Sequence, residues 1–221
     1  MSKSIIFDMD GTLFQTDLIL EYALEDTFEH LRSMGKWNDP IPLQQYREIM
    51  GVPLPQVWKT LLPNHSTKDR EYIDSYFLEK LLKNISDGNG SLYPNTKEIL
   101  SYLHEKHYAI YIASNGLTVY LEAIISHYQL DQWITETFSI QQIDSLNKTD
   151  LVKRIIEKYG ITNAAVVGDR LSDFNAARDN GLLSIGCNFD YAKEDELSHA
   201  HYVIDDLMEL KELLSPNERE D

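Results

Sequence analysis

One cysteine in 221 residues leaves this chain no intramolecular disulfide. That residue, Cys187, ends the apolar run Leu182-Leu183-Ser184-Ile185-Gly186-Cys187, which reads as a strand with its thiol packed in the core. No apolar stretch approaches the ~20 residues of a membrane span. Acidic residues interrupt the N-terminal run by Asp8, so it lacks a signal-peptide pattern, and a cytoplasmic location is expected. Positive charge is scarce: 20 Lys and Arg against 36 Asp and Glu give a formal net charge of −16. Wholesale binding to nucleic acid or to an anionic membrane needs positive counter-charge, which disfavours both partners. No internal repeat and no low-complexity segment is present.

What remains is an ordinary globular composition, 43% hydrophobic and 25% charged, long enough for one large domain or a core plus a smaller one. The run Ile5-Ile6-Phe7 reads as a buried strand and delivers Asp8-Met9-Asp10-Gly11-Thr12 to its C-terminal end. After it the pattern turns helical. Leu18, Tyr22, Leu24, Phe28 and Leu31 recur near helical spacing over residues 17–34, with Gly35 as C-cap. Pro40, Pro42, Pro53, Pro55 and Pro63 punctuate the next stretch and leave room for short helices over 43–50 and 54–62. Ser66 or Thr67 caps a longer helix to about residue 84, carrying Tyr72, Ile73, Tyr76, Phe77, Leu81 and Leu82. No strand is expected between 17 and 86, and Asp87-Gly88-Asn89-Gly90-Ser91 reads as a turn or hinge.

Strands and helices alternate thereafter. Asn95 with Glu98 resembles a capping box opening a helix to about residue 107. Strands are expected over 108–113, 137–140, 164–167, 183–188 and 202–204, and helices over 117–128, 150–159 and 173–179; the tail 215–221 is polar and expected to fray. Strands separated by single helices imply right-handed crossovers. The expected fold is therefore α/β, a Rossmann-like three-layer sandwich with a mostly parallel central sheet and an inserted α-helical cap. The core spans 1–15 and 87–221, the cap 16–86, and the linkers 14–16 and 87–91.

Three strand ends carry polar clusters: Asp8-Met9-Asp10-Gly11-Thr12, Ser114-Asn115-Gly116, and Gly168-Asp169-Arg170-Leu171-Ser172-Asp173. Lys148 lies in the loop before the helix over 150–159. A parallel sheet gathers such positions on one edge. Carboxylates there suit a hard divalent cation, while a hydroxyl, amides and an ammonium suit phosphate oxygens. A phosphorylated metabolite needs only that local cluster, whatever the net charge.

With these four signals in this order, the chain resembles the haloacid dehalogenase superfamily, from Ile5 to about Leu210. The stretch 166–186 is especially close, with Ala176-Ala177-Arg178 and Gly181 in the family's usual places. The insertion looks like the family's first, α-helical cap type (C1), and the spacing most resembles phosphoglycolate-phosphatase-like enzymes. The resemblance implies a Mg2+-dependent phosphatase acting on a small phosphorylated metabolite, as monomer or homodimer. Asp8 would be the nucleophile and Asp10 the proton carrier. Mg2+ would be held by Asp8, the backbone carbonyl of Asp10 and Asp169, with Asp173 behind them. Thr12, Ser114, Asn115 and Gly116 would bind phosphate, and Lys148 would hold Asp8 and the phosphate together. A carboxyl at position 10 points to ester chemistry, because displacing halide from carbon leaves no alkoxide to protonate.

Two features bear on the substrate. Lys148 is followed by Thr149, where many phosphoglycolate-phosphatase-like chains have Lys-Pro. In the cap, Arg47, the turn Gly51-Val52-Pro53, Trp37, Tyr46 and Trp58 are candidates to face a ligand. A β-phosphoglucomutase-like phosphomutase, a pyrophosphatase or nucleotidase, and a noncatalytic interaction protein are the alternatives on the same core.

Overall fold

Ser4-Ile5-Ile6-Phe7 carries no charge and buries every side chain, as a strand covered on both faces must. The computed structural model describes residues 3–49, 52, 54–190 and 192–214. In it this strand, β1 (Lys3–Phe7), lies inside a six-stranded sheet with β2 (Tyr108–Ser114), β3 (Glu136–Ser139), β4 (Ala164–Gly168), β5 (Leu183–Cys187) and β6 (Tyr202–Ile204). The order is β3-β2-β1-β4-β5-β6, and all five pairings are parallel. The strand alternation divides the core. Ile5 and Phe7 pack with α5 (Thr96–Glu105) and α6 (Thr118–Tyr128), while Ile6 packs with α7 (Lys148–Tyr159) and α8 (Leu171–Asp179) on the opposite face. Short helices Glu194–Leu197 and Leu210–Leu213 complete the described chain.

Between β1 and α5 the chain makes α1 (Asp17–Ser33), α2 (Leu43–Glu48), α3 (Leu54–Leu61) and α4 (Thr67–Ser86), and no strand among the described residues, as the periodicity requires. α1 and α4 pack along each other, with Ile73, Phe77, Leu81 and Ile85 buried on α4. The two connections run side by side: Gln15 N–H donates to the Ser91 carbonyl at 2.9 Å, and Phe14 bridges to Leu92. The insertion thus leaves and rejoins the sheet layer at one place.

Several expectations shift. On α1 the buried face is Ile19, Leu20, Ala23, Leu24, Thr27, Phe28 and Leu31, while Leu18 and Tyr22 face solvent. Asn95 is not a capping box: its backbone is left-handed (φ 64°), and its amide instead donates to both Asp206 carboxylate oxygens at 3.0 and 2.8 Å. Lys148 is the first residue of α7 rather than a loop residue, because the Asn147 side chain caps the Thr149 N–H at 2.9 Å. α8 begins at Leu171, which puts Asp173 in its first turn. Gly51, Pro53 and the tail 215–221 lie outside the described residues.

Candidate active site

The strand order reverses direction between β1 and β4, and parallel alignment sets the ends of β1, β2 and β4 side by side. Asp8 follows β1, Ser114 ends β2 and Asp169 follows β4. Asp8 N–H still donates to Val167 at 2.8 Å, after which the Met9 carbonyl gathers the amides of Thr12, Leu13 and Phe14 and turns the chain away. Gly11 makes that turn at φ +73°, with Asp169 so near that a Cβ would lie 2.5 Å from its Oδ2. Gly11→Ala is expected to cost about 1–3 kcal/mol through left-handed strain and this collision. Denaturant unfolding of the variant checks it.

Four buried charges meet here. Lys148 Nζ lies 2.7 Å from Asp8 Oδ1 and 2.5 Å from Asp173 Oδ1, and all three side chains are nearly inaccessible. Asp173 is pinned further by the Arg170 N–H at 3.1 Å. Asp8, Asp169 and Asp173 can each place a carboxylate oxygen within 4.8 Å of the others'. Three carboxylates against one ammonium leave a buried excess of negative charge. Burial accordingly raises the pKa of Asp8, with Asp10 adding to the shift and Lys148 opposing it. Asp169 is pushed well up by burial and by Asp8 and Asp173, and Asp173 is raised to about 6, again chiefly by burial. Burial works against the Lys148 ammonium, but Asp173 and Asp8 outweigh it and raise its pKa. A hard divalent cation fits this donor set: buried, oxygen-only and anionic.

Asp10 is held apart from that cluster. Its Oδ1 accepts from the Tyr120 hydroxyl at 2.7 Å and from the Thr16 hydroxyl, so Thr16 opens α1 without capping it through its side chain. Loss of hydration raises the Asp10 pKa, against the hydrogen bonds of Thr16 and Tyr120. The Ser114 hydroxyl accepts from Gly116 N–H at 2.9 Å, and Ser139 donates to the Gly116 carbonyl at 2.6 Å, which shapes the loop Ser114-Asn115-Gly116. Thr12 is fully buried with its hydroxyl 3.5 Å from Asp169, and it does not line the cavity.

That cavity, of about 110 Å3, opens over Asp8, Asp10, Asp169 and the Ser114–Gly116 loop and is roofed by the inserted helices. Of the cap candidates among the described residues, Tyr46 and Val52 line it and Arg47, Trp37 and Trp58 do not. Arg47 pairs with Glu21, Trp37 packs edge-on to Phe28 at 4.8 Å, and Trp58 backs Phe77 at 5.2 Å while donating to Asp74 at 2.7 Å. Sequence reasoning missed Thr16, Tyr120 and Ser139, and also Glu196, which accepts from Arg170 and from the Leu171 N–H. Thr16, Tyr120 and Glu196 lie outside the strand ends, and Ser139, though it ends β3, stands alone there with no polar cluster to mark it.

Residues 5–187 match the profile of the haloacid dehalogenase-like hydrolases. The chain belongs to that family. It is an enzyme, a hydrolase, on a Rossmann-like core. Among curated relatives, a 5'-nucleotidase of Pseudomonas aeruginosa is 22% identical over 218 residues, covering 96% of this chain and 95% of the relative. A phosphoglycolate phosphatase of Mannheimia succiniciproducens is 25% identical over 231 residues, covering 96% and 98%. The fold is shared with the crystal structure of a predicted phosphoglycolate phosphatase from Haemophilus somnus, at TM-score 0.84 and 19% identity over 97% of this chain and 99% of that one.

Proposed function

We propose that this hydrolase is a Mg2+-dependent phosphatase of small phosphorylated metabolites, working through an aspartyl-phosphate on Asp8. The observation that carries the reading is the separation of two carboxyls at one strand end: Asp8 paired with Lys148, and Asp10 held by Thr16 and Tyr120. An Asp8 carboxylate oxygen attacks phosphorus, the ester P–O bond breaks, and Asp10 gives its proton to the leaving oxygen. Water then attacks phosphorus, Asp10 takes its proton, and the bond to Asp8 breaks to release inorganic phosphate. The raised pKa of Asp10 favours the protonated form that the first step needs. Ser114, the Asn115 amide and Gly116 bind the non-reacting phosphoryl oxygens, and Lys148 keeps the Asp8 oxygens aligned.

Asp8, Asp169 and the Asp10 carbonyl would hold Mg2+, oriented by Asp173, and Mg2+ held there would offset charge on the phosphoryl oxygens. The helical insertion, residues 16–86, acts as the cap, and the two adjacent connections at 14–16 and 87–91 act as its hinge.

Two measurements test this. Wild-type protein with Mg2+ is expected to release inorganic phosphate from members of a panel of several dozen phosphorylated metabolites, and no release from any would overturn the reading. Complete chelation is expected to abolish that release and Mg2+ to restore it. Turnover that survives chelation would remove the metal from the account.

A further inference from the structure

We infer that the substrate's leaving group is uncharged and largely apolar, with anionic charge confined to the phosphoryl end. The inference rests on the phosphatase reading above and concerns only what the cap side of the cavity accepts. Leu20, Tyr46, Leu54, Phe77, Leu78 and Leu81 wall the cavity on the side of the inserted helices. Among the described residues, no Lys, Arg, His, Asp or Glu of the insertion lines it. The remaining residues of the turn beside Val52, namely Met50, Gly51 and Pro53, are uncharged by sequence.

The cations that could have served a second anion are engaged elsewhere. Arg47 is paired with Glu21 and does not line the cavity. Arg170 does line it, on the core side, but its guanidinium lies 3.1 and 3.2 Å from the two Glu196 oxygens. A carboxylate or second phosphate on the leaving group would therefore lose its hydration against leucines without gaining a counter-charge. It would also share the cavity with the carboxyl groups of Asp8, Asp10 and Asp169, which line its core side. An ammonium would be desolvated by the same wall, with no acidic partner on it.

The wall is rigid. Phe77 is wedged between Trp58 at 5.2 Å and Tyr46 at 6.1 Å, both edge-on, and Trp58 is tied to Asp74. A packed apolar surface with two aromatic rings suits an alkyl or aryl group brought in by a phosphate monoester.

The test compares two esters of similar intrinsic reactivity, n-butyl phosphate and the phosphate ester of 4-hydroxybutyrate, on the wild-type chain with Mg2+. The expected result is a kcat/KM for the butyl ester at least about tenfold above that for the carboxylated one. The variant Leu78→Arg, which places a cation on the cap wall at a half-buried position, is expected to shift that ratio at least about tenfold toward the carboxylated ester. Equal efficiencies, or preference for the carboxylated ester in the wild type, would overturn the leaving-group inference and leave the phosphatase reading standing. An unchanged ratio in a folded Leu78→Arg protein would also overturn it. Hydrolysis of neither ester, with phosphate still released from charged metabolites, would do the same. No phosphate release from any ester would overturn both.

Discussion

Asp8→Asn is expected to lower turnover by at least about 10^4-fold, as loss of a nucleophile does elsewhere, with the fold retained. The amide matches the carboxylate in size, and the backbone bond from position 8 to Val167 does not involve the side chain. It removes one of three buried carboxylates that burial and mutual repulsion already disfavour as anions. Lys148 keeps Asp173 as its partner at 2.5 Å. A melting temperature near that of the wild type together with absent phosphate release is the expected pair of results. Near-wild-type turnover would take Asp8 out of the nucleophile role.

Lys148→Met has the largest expected effect on stability. Methionine fills much of the same volume but leaves Asp8 and Asp173 facing each other without the only cation paired with either among the described residues. Removing one partner of a buried ion pair typically costs about 3–5 kcal/mol, which in a chain of this size corresponds to a fall in Tm of about 6–20 °C. Turnover is expected to collapse as well, since nothing then aligns the Asp8 oxygens. The double variant Lys148→Met with Asp173→Asn removes one of the stranded charges, and is expected to recover much of the lost stability and none of the activity. Thermal unfolding at fixed divalent-metal concentration decides it. A single variant as stable as the wild type would show that Lys148 does not neutralise this cluster.

How far the sequence made this legible follows from the range of the interactions involved. β1 could be read because Ile5-Ile6-Phe7 is apolar on both faces, and the carboxylates after it could be placed because parallel strands end on one edge. Positions set by packing between helices could not. On α1 the helical spacing of Leu18 and Tyr22 is as good as that of Leu20 and Leu24, and only the seat of α4 decides which face is covered. The pattern at Asn95 fits a capping box, but its amide is taken by Asp206, 111 residues away. Tyr120 reaches Asp10 across 110 residues for the same reason. Trp37 and Trp58 attracted notice as aromatics, yet they brace the insertion, while the less conspicuous Leu78 and Leu81 line the cavity. Thr149 is explained locally: its N–H, which a proline would lack, is the group that Asn147 caps.

The claim on which the rest depends is the covalent step at Asp8, and an acyl phosphate can be trapped there directly. Wild-type protein turning over a phosphate monoester with Mg2+ is quenched and treated with borohydride, which reduces an aspartyl-phosphate to homoserine, and the peptide containing residues 8–10 is examined by mass spectrometry. Homoserine at position 8, present only when substrate and Mg2+ were both supplied, is the result expected. Steady phosphate release with Asp8 unmodified, or with the label at Asp10, would contradict the account.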